Sequence, residues 1–422
     1  MNLKKLSADK KSLVENFLSL SILQGVNMIL PFVTLPYLVR VLEVDNFGLV
    51  NFSLSIIGYF NILVSFGFEL SATKQISIHR KNDQKLSEIF SAVTCIKSIM
   101  FFISFLFLTL LVFFIDSLNE YIALYYVTFG IVLGNILFPT WFFQGVEKMK
   151  FITVINVVAK VLFTIFVFIL VQDKNDFIYV PLLNSLGAII GGMVALQIIF
   201  RTYAIKFYIP HKKVLLHHLK DSYYYFVSRI ANNGSRYLVT TIIGAYFGNT
   251  MVGYYSLVEK LFYAFATVGG VISQTIFPYM SRTKDLKLMK KIIRVTLAFA
   301  IPVALLLMYF NEPFLRLVFD VEGEVVSTIF LLVFSGSVFS VLSAIIGYPL
   351  LAAFGYPKYA NNSLIYSSIV YLVYIVIAVL VTKNIYFVSF SLVVYTISGL
   401  LFRVYYIDKT RLYNINIIEK DN

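Results

Sequence analysis

The 422 residues are 59% hydrophobic and only 14% charged, with a mean hydropathy of +0.82. A water-soluble fold needs a polar shell that this composition cannot supply, so the chain reads as an all-α polytopic membrane protein. The net charge of +13 does not point to nucleic acid, because the lysines and arginines lie between apolar runs, as membrane topology requires, and the lone Cys95 excludes a disulfide framework.

The basic N-terminus, "MNLKKLSADKKSLVENFL", leads into a long apolar stretch without a small-residue cleavage site. It is expected to be a retained first span and not a signal peptide. Runs long enough to cross a hydrocarbon core as helices fall at about twelve places. They cover 17–40, 47–72, 89–115, 121–144, 151–171 and 177–200, then 222–247, 252–281, 288–310, 326–353, 360–381 and 386–407. Between the second and third spans, "ISIHRKNDQKLSEIF" (76–90) has charges on one face and apolar residues on the other. That pattern suggests a segment lying on the inner leaflet.

Charge orients the spans. One set of connections holds 26 basic residues, among them Lys4 to Lys11, Lys74 to Lys85, Lys148 and Lys150, Arg201 to Lys220, Arg282 to Arg294, Lys358, and a tail with Arg403, Lys409, Arg411 and Lys420. The alternate set holds 4, namely Arg40, Lys174, Arg316 and Lys383. The expectation is a bacterial cytoplasmic (inner) membrane protein with both termini in the cytoplasm. The outward loops are too short to house an enzyme, and no phosphate-binding loop or Ser/His/Asp arrangement is present.

Two stretches recur at near-constant offset. "VLEVDNFGLVNFSLSIIGYF" (41–60) resembles "AYFGNTMVGYYSLVEKLFYA" (245–264), with Gly48 on Gly253 at 205. Pro139, Gly145 and Lys148 fall on Pro349, Gly355 and Lys358 at 210. The expected architecture is two pseudo-symmetric six-helix lobes around a central cavity, a parallel repeat. The lobes would be 1–200 and 221–410, joined by a basic cytoplasmic linker at 201–220, with a cytoplasmic tail at 411–422.

Several spans carry polar stripes. In the seventh, Arg229, Asn232, Asn233 and Arg236 share a helix face with Tyr225 and Thr240. Such a stripe faces protein or a water-filled cavity, unless Arg229 snorkels to the surface. The fifth span has Lys160 with Thr153, Asn156 and Thr164; the eighth has Lys260 with Thr267 and Gln274. The first offers Gln24, Asn27 and Pro31, for which hydrogen bonding between helices is the alternative to a cavity role. Glu69 is either an acid at the inner mouth or a salt-bridge partner of Lys74 or another neighbour. His211, His217 and His218 lack the Cys or acid that would complete a metal site.

Residues 30–77, with Pro31, Pro36, "NFG" (46–48) and "GFE" (67–69), followed by "FPTWFFQGVEKMKF" (138–151), resemble the Wzx-type O-antigen and polysaccharide-repeat flippases. These belong to the multidrug/oligosaccharidyl-lipid/polysaccharide exporter superfamily. The resemblance implies an oligosaccharide on undecaprenyl diphosphate, moved from inner to outer leaflet. A polymerase and a chain-length regulator of the same pathway are the expected partners, no cofactor is expected, and transport is expected to draw on an ion gradient (H+ or Na+), a membrane potential, or consumption of the product outside. Arg229, Arg236, Lys160 and Lys260, with Asn232, Asn233, Gln24 and Asn27, are the candidate lining for the diphosphate and glycan. One rival is a cation-coupled multidrug exporter of the same superfamily, which should carry acids within its spans. Another is a polysaccharide polymerase or ligase, which should carry a large outward loop.

Overall fold

The computed structural model of the protein describes residues 8–203, 205–230 and 234–412, which form helices and short turns with no strand among them. They divide into two compact units, Met1–Thr241 and Ile242–Asn422. The first contains α1 (Ala8–Ser65), α2 (Phe68–His79), α3 (Asp83–Phe114), α4 (Asp116–Asn119), α5 (Ile122–Leu137), α6 (Thr140–Gly145), α7 (Met149–Leu170), α8 (Tyr179–Thr202) and α9 (Lys212–Arg229). The boundary lies within α10 (Ser235–Phe247). The second unit continues with α11 (Asn249–Thr283), α12 (Leu286–Tyr309), α13 (Asn311–Phe319), α14 (Glu324–Phe334), α15 (Ser337–Ile346), a π-helical turn at Gly347–Ala352, α16 (Pro357–Ile377) and α17 (Ile385–Lys409).

Among the described residues, 10 helical runs are long and apolar enough to cross a membrane, so the chain is a multi-pass membrane protein. Nine coincide with the expected third to sixth and eighth to twelfth spans. The remaining run, Ser21–His79, takes in the first two, because α1 bends at Glu43, whose φ of 59° and ψ of 166° are not helical. The expected seventh span, 222–247, is not among the 10; it is divided between α9 and α10, and Asn232 and Asn233 lie outside the described residues.

The segment 76–90, expected as an amphipathic piece, turns its apolar face to protein. It is the end of α2, a turn, and the start of α3, whose N-cap Asn82 accepts the Lys85 N–H. Its apolar face is buried in protein: Ile76, Leu86, Ile89 and Phe90 pack with Trp141, Phe142 and Phe143 of α6. A patterned face shows which residues seek an apolar neighbour, but not whether lipid or protein supplies it.

The family-like motifs have physical roles in this packing. In "GFE", Gly67 sits at φ 74° and lies so close to α9 that a Cβ would be 2.7 Å from the Phe226 nitrogen. Phe68 is core, and Phe66 stacks on Phe226 at 4.3 Å between ring centroids. α9 and the start of α10 thus pack on the first unit, although the repeat puts the start of the second lobe at 221. "WFFQG" fills the core of the first unit through its three aromatic residues.

The repeat offset reappears in the backbone. Glu43 lies 205 residues before Gly248, and Gly248 has the same unusual conformation, φ 83° and ψ 176°. α3 and α12 each open on a side-chain cap, Asn82 and Asp285, next to the main core of its own unit.

A polar cavity in the first unit

α1 and α7 run parallel in a fixed register. The Met149 N–H donates to Asn16, the Thr153 hydroxyl to the Ser19 carbonyl, Lys160 to Asn27, and the Tyr37 hydroxyl to the Val171 carbonyl. The partners are separated by 133 or 134 residues in every case, so the two helices advance residue for residue. Two helices that rise in step need an even number of spans between start and start, as the expected first and fifth have.

That register places the half-buried Lys160 Nζ 2.5 Å from Asn27 Oδ1, at the edge of a cavity of about 320 Å³. Pro31, one turn beyond Asn27 in α1, has no N–H, so the Asn27 carbonyl lacks its usual i+4 donor and adds an acceptor at this level. Around the cavity stand Thr34 of α1, Asn135 of α5, Asn156 and Thr164 of α7, and Asn184 of α8. None of its lining residues is acidic. Asn156 and Asn184 each donate an amide hydrogen to a carbonyl one turn back, on Ile152 and Val180, which fixes their rotamers.

The wall between α5 and α8 is closed. A Cβ on Gly134 would lie 2.4 Å from that of Ala188, so the two backbones meet where any side chain would clash. Behind this wall Asn135 donates to Asn61 Oδ1 at 2.5 Å, while its carbonyl accepts from Lys97 Nζ at 2.9 Å. Lys97 in α3 is 3% exposed. It is a cation at span depth that the stripe pattern does not single out, and among the described residues no carboxylate lies within ion-pair distance of it.

The other candidate cations are placed elsewhere. Arg229 is ion-paired with Glu69, so Glu69 takes the neighbour it was expected to need, and this neighbour is not Lys74. Arg236 is exposed on α10, beside Tyr237, whose ring packs on Tyr59 and Gly58. Gln24 is exposed on α1, and Lys260 is exposed on α11 in the second unit. Of the candidate lining, the structure therefore brings together Lys160, which lines this cavity, and Asn27, which accepts its hydrogen bond at the edge.

Arg403, expected in the cytoplasmic tail, is instead 5% exposed within α17. Its Nε donates to the Ser363 hydroxyl at 3.1 Å, and Nη1 donates to the Ser343 hydroxyl at 2.7 Å and to the Ser343 carbonyl. Gly347 leaves room for it: a Cβ there would be 2.8 Å from the guanidinium carbon. Three acceptors on α15 and α16 keep this guanidinium inside the second unit.

A lysine among amides, with no carboxylate in the lining, can hold an anionic oxygen. An ion pair at 4 Å is worth about 4 kcal/mol at an effective dielectric of 20. That is comparable with the roughly 2.5–3.5 kcal/mol that a cation costs at the centre of a span.

The profile of the family described as "Polysaccharide biosynthesis protein" matches residues 13–284, which contain all four helices of the cavity. Two relatives bear the name "Putative O-antigen transporter". The one from Escherichia coli K12 is 29% identical over 292 residues, 68% of this chain and 69% of the relative. The one from Shigella dysenteriae is 26% identical over 339 residues, 78% of this chain and 84% of the relative. Among solved structures, the lipid II flippase MurJ in an inward closed conformation matches with a TM-score of 0.74 at 15% identity, over 92% of this chain and 87% of that one. An inward-facing multidrug resistance MATE family transporter of the MOP superfamily matches with a TM-score of 0.65, also at 15% identity, over 95% and 99%. At these identities the structural likeness shows the fold. With a family profile that covers more than half of its length and spans the cavity, the chain belongs to the polysaccharide biosynthesis protein family.

Proposed function

We propose that the protein is a lipid-linked glycan flippase, moving undecaprenyl-diphosphate-linked oligosaccharide repeat units from the inner to the outer leaflet of the cytoplasmic membrane by alternating access. Both termini face the cytoplasm in this reading. The observation that carries it is the polar cavity, which Lys160, bonded to Asn27 at its edge, lines together with Asn135, Asn156 and Asn184 and no acidic residue. A diphosphate offers the anionic oxygens that such a cavity accepts, and the amides suit sugar hydroxyls. The same lining argues against a cation-coupled multidrug exporter, whose substrates need acids. Arg229 joins the lining only in a state in which it has left Glu69. Arg236, Lys260, Gln24, Asn232 and Asn233 would meet the substrate at other stages of transit.

The test is transport by the purified full chain in proteoliposomes. A fluorescent undecaprenyl-diphosphate glycan is the substrate, and membrane-impermeant quenching reads its leaflet. Lys160→Arg is expected to keep part of the rate, Lys160→Met to lose at least tenfold, and Lys160→Glu to lose more than Met, because it repels the headgroup. Unchanged transport by Lys160→Glu at equal insertion removes the cavity from the mechanism. Ethidium efflux without glycan movement establishes the multidrug reading instead.

A further inference from the structure

A second cavity, of about 470 Å³, opens between α7 and α8, and its lining is entirely apolar. It shares Ile155, Ala159, Phe163, Leu183, Gly187 and Gly191 with the polar cavity, so one set of side chains walls both. We propose that this groove seats the first isoprene units of a polyprenyl chain whose diphosphate lies at Lys160, giving the tail of the substrate a defined exit from the polar cavity. The inference rests on the flippase reading and adds a binding site to it.

The geometry supports this in three ways. First, the two sides of α8 differ in how closely a neighbour approaches. Toward α5 there is no room for a methyl group, whereas a Cβ on Gly187 would meet only that of Ala159, at 3.9 Å. The α7–α8 side is thus open at Gly187 and narrows one turn on, where a Cβ on Gly191 would be 3.0 Å from Ile155. Second, the groove lining on α7 runs from Val154 to Leu170, about 24 Å at the helical rise. Lys160 lies close to the middle of α7. A headgroup held there is about halfway across the bilayer, and the chain covalently attached to it has to leave sideways. Third, a slot between two helices admits one chain. A diacyl lipid brings two, joined at a glycerol that would fall against apolar walls. The single-chain amphiphile with an anionic head is therefore the occupant that fits.

The test uses the full-length protein in nanodiscs of phosphatidylethanolamine and phosphatidylglycerol. Photoreactive benzoylphenylalanine replaces Leu162, which lines the groove and not the polar cavity. Undecaprenyl diphosphate is the probe, and mass spectrometry of the photo-adduct is the readout. A strong adduct is expected, reduced at least tenfold by Gly187→Leu and at least tenfold by Lys160→Met. Undecaprenol, which has the tail without the charge, should give at least tenfold less. Gly270→Ala, in α11 where a Cβ meets nothing within 4 Å, is the folded control and should keep the adduct. Ala159→Leu blocks the same seam from α7 and should match Gly187→Leu, which keeps the test decisive if one variant fails to insert. An adduct indifferent to Gly187→Leu, Ala159→Leu or Lys160→Met overturns the proposal. So does an equal yield with phosphatidylglycerol, which identifies ordinary surrounding lipid. Adduct formation needs binding and not translocation, so the two readings fail separately. An intact adduct without glycan transport removes the flippase and leaves the groove. Normal transport by inserted Gly187→Leu removes the groove and leaves the flippase.

Discussion

Lys160 and Asn135 line the same cavity, and Lys97 donates to the Asn135 carbonyl from α3. Lys160 is readable from sequence because Asn156 and Thr164 stand one turn before and after it, and three polar residues on one face of an apolar helix need a common explanation. Lys97 has weaker neighbours: Val93 and Phe101 stand one turn before and after it, and the polar residues on its face are the small Thr94 and Ser104. The Asn135 carbonyl that receives it belongs to another helix and is invisible in the sequence of α3. Arg403 is hidden differently, because six residues from a helix end in a basic segment a snorkelling arginine and a buried one look the same. For Lys97 the stem and the charge can be separated. Lys97→Met conserves most of the volume and should stay within about 1.5 kcal/mol of wild type in stability. Lys97→Ala opens a void and should lose on the order of 2–4 kcal/mol. Thermal unfolding in detergent measures both. Equal losses would show that the ammonium–carbonyl bond, and not packing, holds α3 to α5.

At the scale of elements, spans three to six and eight to twelve are legible because length and hydropathy decide them. The bend in α1 is not legible, because nothing in "VLEVDNF" marks Glu43 as the residue with positive φ. Its counterpart Gly248, lacking a side chain, takes this conformation without steric cost. Glu43 holds it at an expense of roughly 1–3 kcal/mol. What it gains locally is an ion pair with Lys174 at 3.3 Å, in which both side chains are more than half exposed and which contributes little. Glu43→Gly should therefore raise the thermal midpoint of the protein, and Gly248→Ala should lower it by about 1–2 kcal/mol of stability. A fall in midpoint for Glu43→Gly would mean that the acid is anchored by more than its backbone position shows. The segment 76–90 teaches the complementary lesson. Its amphipathic pattern is real, and the partner of its apolar face is α6, about 60 residues away in sequence, which no local periodicity can report.

For the whole molecule, the distribution of charge gives an orientation that the second unit can test by itself. α12 has 24 residues, about 36 Å of helix, with Lys284 to Arg294 around its start and the acid-rich stretch after α13 beyond its end. In a Cys95→Ser background, Lys287→Cys should react with an impermeant maleimide only after cells are opened, and Asp320→Cys should react in intact cells. The reverse order would invert the topology. The register of α1 against α7 bears on something else, the order in which a ribosome delivers these helices. α1 and α5 are made before α7, and α8, which supplies Asn184 and the rest of the cavity wall, comes after it. During that interval Lys160 has entered a membrane whose sheltering cavity is unfinished. Asn27 is already there, held at the right height by Asn16 and Ser19, and its carboxamide can receive the ammonium as soon as α7 arrives. The order of synthesis thus gives this lysine an acceptor before it gives it a cavity.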